Sequence, residues 1–209
     1  MNFFVWHENY WGHLGCEDGP WGTSEIAGFH FHSDNANENI RLKQPGTYFG
    51  FVMEGSIDIK NPDIKSWTVH AGQWFSITND IAIQNSNIHQ ESRVVVIRQQ
   101  DYRGIYAMGG PVEKQGRLRY IDGCSDSLLL CPPRLGDPCL NHLHFPRGIR
   151  QTMHNHPSVR LGAVIAGQGL YVTKTDKFPL KPGSIFMIPT DMYHHFETTD
   201  STLDVFAFH

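Results

Sequence analysis

The sequence of 209 residues has no long apolar run, no run of like charge and no closely spaced cysteine pair. A membrane-spanning helix needs about 20 consecutive apolar residues; no segment approaches that length, so no membrane partner is expected. Lysine and arginine number 17 against 21 acidic residues, a formal net charge of −4 with histidine neutral. Without a basic stripe, the electrostatic footprint of a nucleic-acid-binding surface is missing. The opening stretch MNFFVWHENYWGHLG shows no charged segment leading into an apolar core. It does not read as a signal peptide, and the expected location is the cytoplasm. Cys16, Cys124, Cys131 and Cys139 lack the paired spacing of a zinc site, although the last three share one segment, GCSDSLLLCPPRLGDPC. They are expected to be reduced, structural thiols.

What is present is short and evenly punctuated. Glycine occurs 20 times and proline 12 times. The apolar runs between them (YFGFVMEG, SWTVHAG, RVVVIR, SIFMIP) are rich in β-branched and aromatic residues. Such runs, bounded by turn residues, read as many strands and few helices, which places the chain in the all-β class. Aromatic residues crowd VWHENYWGHLG and GPWGTS. They suit a barrel end or a subunit contact, which leaves a homodimer open. Histidine is also abundant, with 13 copies.

The chain repeats itself. Segment 42–59 lies under 154–172 at an offset of 112 residues, which aligns Pro45 with Pro157, Gly50 with Gly162, Val52 with Val164 and Gly55 with Gly167. At the same offset the His30–His32 pair meets His142–His144. Further on, an offset of 111 aligns Gly72 with Gly183, Phe75 with Phe186, Ile77 with Ile188 and Asp80 with Asp191. Turn glycines and apolar strand positions kept in one register point to a duplicated β-unit. The expected organisation is an N-terminal barrel over 1–98, a polar, glycine-rich connector over 99–122 and a C-terminal barrel over 123–209, each a sandwich or small barrel.

The candidate chemistry lies in the second copy. Alternate residues of a strand share a face, so Thr152, His154 and His156 are expected to project together. His194 follows the strand-like SIFMIP and a turn. Phe196 shares its parity and is expected to line the same pocket, whereas His195 points the other way. Three imidazoles converging in a barrel would bind a divalent metal and leave coordination positions open.

The spacing is specific. Gly148, five residues, His154, Asn155, His156, three residues, Arg160, six residues and Gly167 form one series. Gly183, five residues, Pro189, Asp191, two residues, His194 and then Thr198 form the second. These series resemble the two motifs of the cupin superfamily, G-x5-H-x-H-x3–4-E-x6-G and G-x5-P-x-G-x2-H-x3-N. The resemblance covers about 140–209 well and 28–98 weakly, through the repeat. It implies two tandem jelly-roll barrels and a metal held by His154, His156 and His194.

The departures narrow the reading. Where the family keeps an acidic ligand, Arg160 stands. In the first copy Leu42, Gln44, Tyr48 and Ile83 occupy the positions of His154, His156, Arg160 and His194, so that barrel is expected to be metal-free. A cation beside a metal requires an anion between or near them. Arg160 therefore reads as a catalytic and substrate-binding residue, joined by Thr152 and Phe196, with a small anionic metabolite as partner. The alternative is that Arg160 turns away to pair with Asp191 or Glu197. A three-histidine site lacking the acidic ligand resembles the Fe(II) centres of thiol and diketone-cleaving dioxygenases, so an Fe(II) oxygenase is the leading expectation. Zn, Ni, Mn or Cu remain open, as do a non-redox isomerase, lyase or decarboxylase and a ligand-binding sensor without turnover.

Overall fold

The computed structural model describes residues 3–7, 10–19, 22–35 and 38–209; Trp21 of the aromatic GPWGTS stretch lies outside them. The described residues are all-β apart from one 3-10 turn, Ile121–Gly123. Among the described residues, no helix is long and apolar enough to cross a membrane. The chain divides into two compact units, Asn9–Val112 and a unit made of Met1–Glu8 with Glu113–His209.

The strands in chain order begin with β1 (Phe4–Trp6), β2 (Gly12–Gly19), β3 (Gly22–Phe31), β4 (Asn39–Leu42), β5 (Gly46–Glu54) and β6 (Ser56–Asn61). Next come β7 (Lys65–His70), β8 (Trp74–Thr78), β9 (Ile81–Asn85), β10 (Ser92–Gln100) and β11 (Ala107–Gly109). The second half holds β12 (Leu118–Arg119), β13 (Ser125–Leu130), β14 (Leu140–Phe145), β15 (Arg160–Gly167) and β16 (Gly169–Val172). It ends with β17 (Lys177–Leu180), β18 (Ile185–Ile188), β19 (His195–Glu197) and β20 (Leu203–Phe208).

In the Asn9–Val112 unit, a sheet of order β11-β8-β5-β10-β3-β2 is joined by a smaller one, β4-β9-β6-β7. In the other unit the orders are β1-β18-β15-β20-β14-β13-β12 and β17-β16-β19. The series β8-β5-β10-β3-β2 and β18-β15-β20-β14-β13 run in the same sense, so the sequence repeat is also a repeat of topology. Each unit buries its core between its own two sheets, the double-sheet solution of a jelly roll.

One packing unit explains why the repeat keeps particular residues. Gly50 pairs with Phe75 across β5 and β8, and Gly162 pairs with Phe186 across β15 and β18. In both copies the phenylalanine ring lies over the glycine. A Cβ on Gly162 would meet the Phe186 ring at 2.8 Å and collide with the Phe206 carbonyl, and one on Gly50 would strike the Phe75 ring. The hairpin glycines Gly55 and Gly167 hold φ of 69° and 71°, a left-handed conformation that costs glycine little.

The unit boundaries differ from the sequence reading at three points. Strand β10 runs to Gln100, beyond the expected end at 98. The connector over 99–122 is not one free segment, because Ala107–Gly109 pairs with β8 and Leu118–Arg119 with β13. Phe4–Trp6 does not join the N-terminal unit; it pairs with Ile185–Met187 of β18. The last two points share a physical reason: strands at the edge of a sheet present unpaired backbone groups, and a short strand covers them. Phe3 reinforces this seat by stacking on Tyr171, with ring centroids 3.7 Å apart and 13° between planes.

The Gly162–Phe186 contact has no slack. Gly162→Ala is expected to cost about 2–3 kcal/mol through overpacking, read as a lower urea midpoint with an unchanged slope.

Candidate metal centre

The segment that carries the histidine pair is not the strand expected from the sequence. Residues 151–159 are irregular apart from one bridge, His154 to His194. That bridge consists of two reciprocal backbone hydrogen bonds: the His154 N–H donates to the His194 carbonyl at 2.9 Å, and the His194 N–H donates to the His154 carbonyl at 2.8 Å. Pro157 cannot donate to a ladder, which is why regular pairing does not extend through this segment.

The bridge brings the imidazoles together. Ring centroids are 4.8 Å apart for His154 and His194, 5.0 Å for His154 and His156, and 5.3 Å for His156 and His194. One nitrogen from each ring lies within 4.8 Å of the others. Nδ1 of His154 is 2.7 Å from the Thr152 carbonyl, and Nδ1 of His194 is 2.8 Å from the Met192 carbonyl. A carbonyl only accepts, so each Nδ1 carries its proton and leaves Nε2 as the ring's lone-pair atom. This is the backbone orientation typical of metal-binding histidines. Tyr171 stacks on His194 at 5.3 Å, so Phe3, Tyr171 and His194 form a column of rings.

Burial keeps the ligands in the form a metal needs. It pushes His156 down to about 3 and His194 down to about 4. Arg160 adds to both effects. Both imidazoles are neutral at physiological pH and offer lone pairs. The donor set therefore fits a borderline divalent ion such as Fe(II), Zn or Ni.

The triad opens into a cavity of ≈ 530 Å³ whose walls include Leu143, Phe145, Phe186, Ile188 and Phe196. Arg160 lines the same cavity. Its Nη1 donates to Ser158 Oγ at 2.6 Å and to the Ser158 and Val159 carbonyls at 3.4 and 3.3 Å. Burial pushes the guanidinium down to about 10, so it remains a cation. Neither carboxylate considered as an alternative partner reaches it. Asp191 accepts from Asn155 at 3.5 Å. Glu197 is engaged by Arg150, Lys177 and His195 at 3.2, 3.0 and 2.9 Å. Among the described residues, Arg160 has no carboxylate partner.

The remaining expectations divide. Phe196 is buried and lines the cavity, edge-on to His194 at 6.0 Å. His195 turns to Glu197. Thr152 is corrected: it is exposed and not part of the cavity wall, and it contributes the carbonyl that orients His154. The strand parity that placed it inside does not apply to an irregular segment. Gln151 takes the inward place, 3 % exposed, with its Oε1 accepting from the Phe196 N–H at 3.2 Å. The His142–His144 pair is held by Asp204, whose Oδ1 lies 2.9 Å from one ring and 2.8 Å from the other. All four cysteines are free thiols.

In the Asn9–Val112 unit, Tyr48 and Ile83 are buried in the apolar core and Leu42 packs against it. Hydrocarbon fills the region where the other unit has imidazoles.

Residues 141–208 match the family model of the cupin domain. The match contains His142 to Phe208 and hence all three histidines of the triad. A cupin 2 conserved barrel domain protein from Leptotrichia buccalis is similar over 99% of this chain and 88% of its own, with TM-score 0.64 and 16% identity. The protein Ylba from E. coli is similar over 100% and 91%, with TM-score 0.61 and 16% identity. A salicylate 1,2-dioxygenase from Pseudaminobacter salicylatoxidans is similar over 88% and 70%, with TM-score 0.64 and 11% identity. At such identities the likeness is one of fold. No curated protein sequence matches the chain.

One departure from the motif that the sequence resembles lies at the turn before His194. Asp191 stands where the motif has glycine and holds φ of 59°, a left-handed conformation that aspartate tolerates better than most residues. Its N–H donates to the His156 carbonyl at 2.8 Å, tying the turn to the histidine pair. Asp191→Gly is expected to fold and bind metal as the parent does. Asp191→Val is expected to lose about 1–2 kcal/mol in urea unfolding and to weaken metal binding measured by equilibrium dialysis.

Proposed function

We propose that the C-terminal unit is a metal-dependent cupin enzyme acting on a small anionic metabolite, with an Fe(II) oxygenase reaction as the leading chemistry. The observation that carries this reading is the convergence on one apolar-walled cavity of three imidazoles and a half-buried guanidinium without a carboxylate partner among the described residues. His154, His156 and His194 would hold the ion. When bound, Fe(II) would supply the redox equivalents and open coordination positions that oxygen chemistry needs.

The other roles belong to the chain. Three imidazoles bring no negative charge to a divalent ion, and Arg160 adds a further positive one. The cavity as a whole therefore selects an anion. With Nη1 tied to Ser158 and Val159, Arg160 keeps Nη2 and Nε to grip a carboxylate as a fork. Phe145, Phe186 and Phe196 would pack the apolar body of the substrate and exclude water, which strengthens every charge interaction inside. The fold likeness to a salicylate 1,2-dioxygenase is compatible with this chemistry.

A second reading keeps the metal and replaces the redox step. An all-imidazole donor set also suits zinc or nickel, which would support carbonyl polarisation in an isomerase, lyase or decarboxylase.

Metal analysis of protein purified without air is expected to show one equivalent of iron per chain, lost in His154→Ala and in His194→Ala. Oxygen uptake is expected with small carboxylate substrates and to fall at least 100-fold in either variant. Turnover that persists in both would refute the metal reading. A redox-silent metal with activity in the absence of air would favour the second chemistry.

A further inference from the structure

Beside Arg160, the polar end of the cavity contains residues that the metal reading leaves unused. In β15 and β20, Leu161 pairs with Phe208, so continuing the antiparallel register by one residue sets Arg160 opposite His209. On the far side, the Cys139 N–H donates to the His209 carbonyl at 2.9 Å and the His209 N–H donates to the Cys139 carbonyl at 3.3 Å. Arg160, His209 and Cys139 therefore lie side by side on three adjacent strand positions, and all three line the cavity. Asn141, two residues beyond Cys139, faces the same way.

The hydrogen bonds within this row set the protonation of His209. The Asn141 amide nitrogen donates to both Asp126 oxygens, at 2.9 and 2.8 Å. That fixes its carbonyl oxygen toward His209 Nε2, 3.0 Å away. An amide oxygen only accepts, so Nε2 carries the ring proton. The Cys139 thiol, which burial pushes up to about 11, stays protonated and shares the same acceptor at 3.3 Å. In a neutral ring Nδ1 is then a proton acceptor; the Cys139 sulfur lies 3.7 Å from Nδ1 and 3.1 Å from Nε2. Burial, followed by the Arg160 charge, holds the ring neutral at about 3. A carboxylate bound to Arg160 would cancel the second of these causes and make the ring more basic.

We infer that His209 is the proton acceptor of the cavity, and that the substrate class is a small carboxylate with a hydroxyl group beside it. This rests on the reading of Arg160 as the anion receptor. The carboxylate sits on Arg160, and the neighbouring hydroxyl meets His209 Nδ1. In the proton transfer the O–H bond breaks, its electron pair stays on oxygen, and the proton forms an N–H bond at Nδ1. Asp126 and Asn141 act as positioning residues: they turn the ring and support the imidazolium from its Nε2 side, the arrangement by which a third group orients a catalytic base.

The test compares two probes that differ by one hydroxyl group, mandelate and phenylacetate, by isothermal titration. The parent protein is expected to bind mandelate about tenfold more tightly, the effect of one well-made hydrogen bond. His209→Ala is expected to bring the ratio to about one while the phenylacetate Kd stays within about twofold; this unchanged Kd also shows that the variant is folded. The ratio is expected to survive in a His154→Ala, His194→Ala double variant. A tenfold preference retained in His209→Ala overturns the inference, as does equal binding of the two probes by the parent. Preference lost in the double variant but kept in His209→Ala assigns the hydroxyl to the triad instead. Arg160→Met tests the underlying reading separately: both probes should weaken at least tenfold. If neither weakens, Arg160 is not the anion receptor, whatever His209 does to the ratio.

Discussion

Two backbone hydrogen bonds between His154 and His194 are the constraint on which the candidate site depends. They join residues forty positions apart in an irregular segment and fix both Cα positions from the main chain, leaving the side chains free for chemistry. Each ring is then turned by a carbonyl two residues earlier, Thr152 for one and Met192 for the other. The Asp191 turn ties His156 to the same loop. The imidazoles are thus organised by backbone groups, and a metal would find its ligands already placed instead of having to order them.

The same backbone scaffold carries opposite interiors in the two units. Both keep the strand order and the glycine–phenylalanine stack, which are demands of packing between sheets. They differ in what fills the space beyond. Isoleucine, leucine and tyrosine close one interior largely with hydrocarbon. Imidazoles, a guanidinium and an amide–carboxylate pair leave the other open and polar at its end. Burying a charge is costly unless it is paired. Arg160 is therefore the residue whose placement most clearly reflects something other than stability.

Much of this was legible from spacing. The alternation of short apolar runs gave the all-β class, and the aligned glycines at Gly50 and Gly162 lie on strands that hold matching places in the two sheet orders. The motif spacing gathered His154, His156 and His194 without any knowledge of contacts. What failed was parity applied beyond its domain. It placed Thr152 in the cavity because 152–156 was read as a strand, whereas a single bridge lets Gln151 turn inward instead. Parity applied to the real strand β20 would have succeeded, since Val205, Ala207 and His209 alternate into the cavity. The seat of Phe4–Trp6 on β18 was not legible, because edge pairing between distant segments leaves no local pattern.

That seat has a consequence for how the protein is made. Phe4–Trp6 leaves the ribosome about 180 residues before its partner Ile185–Met187. At ordinary rates of synthesis the delay is on the order of tens of seconds. The Asn9–Val112 segment has all its own strands well before then. Throughout that interval a short aromatic strand lacks this partner, and the pairing forms only when Ile185–Met187 reaches back to it. The ring that backs His194 is braced at that moment, so the candidate metal centre would be among the last features of the molecule to mature.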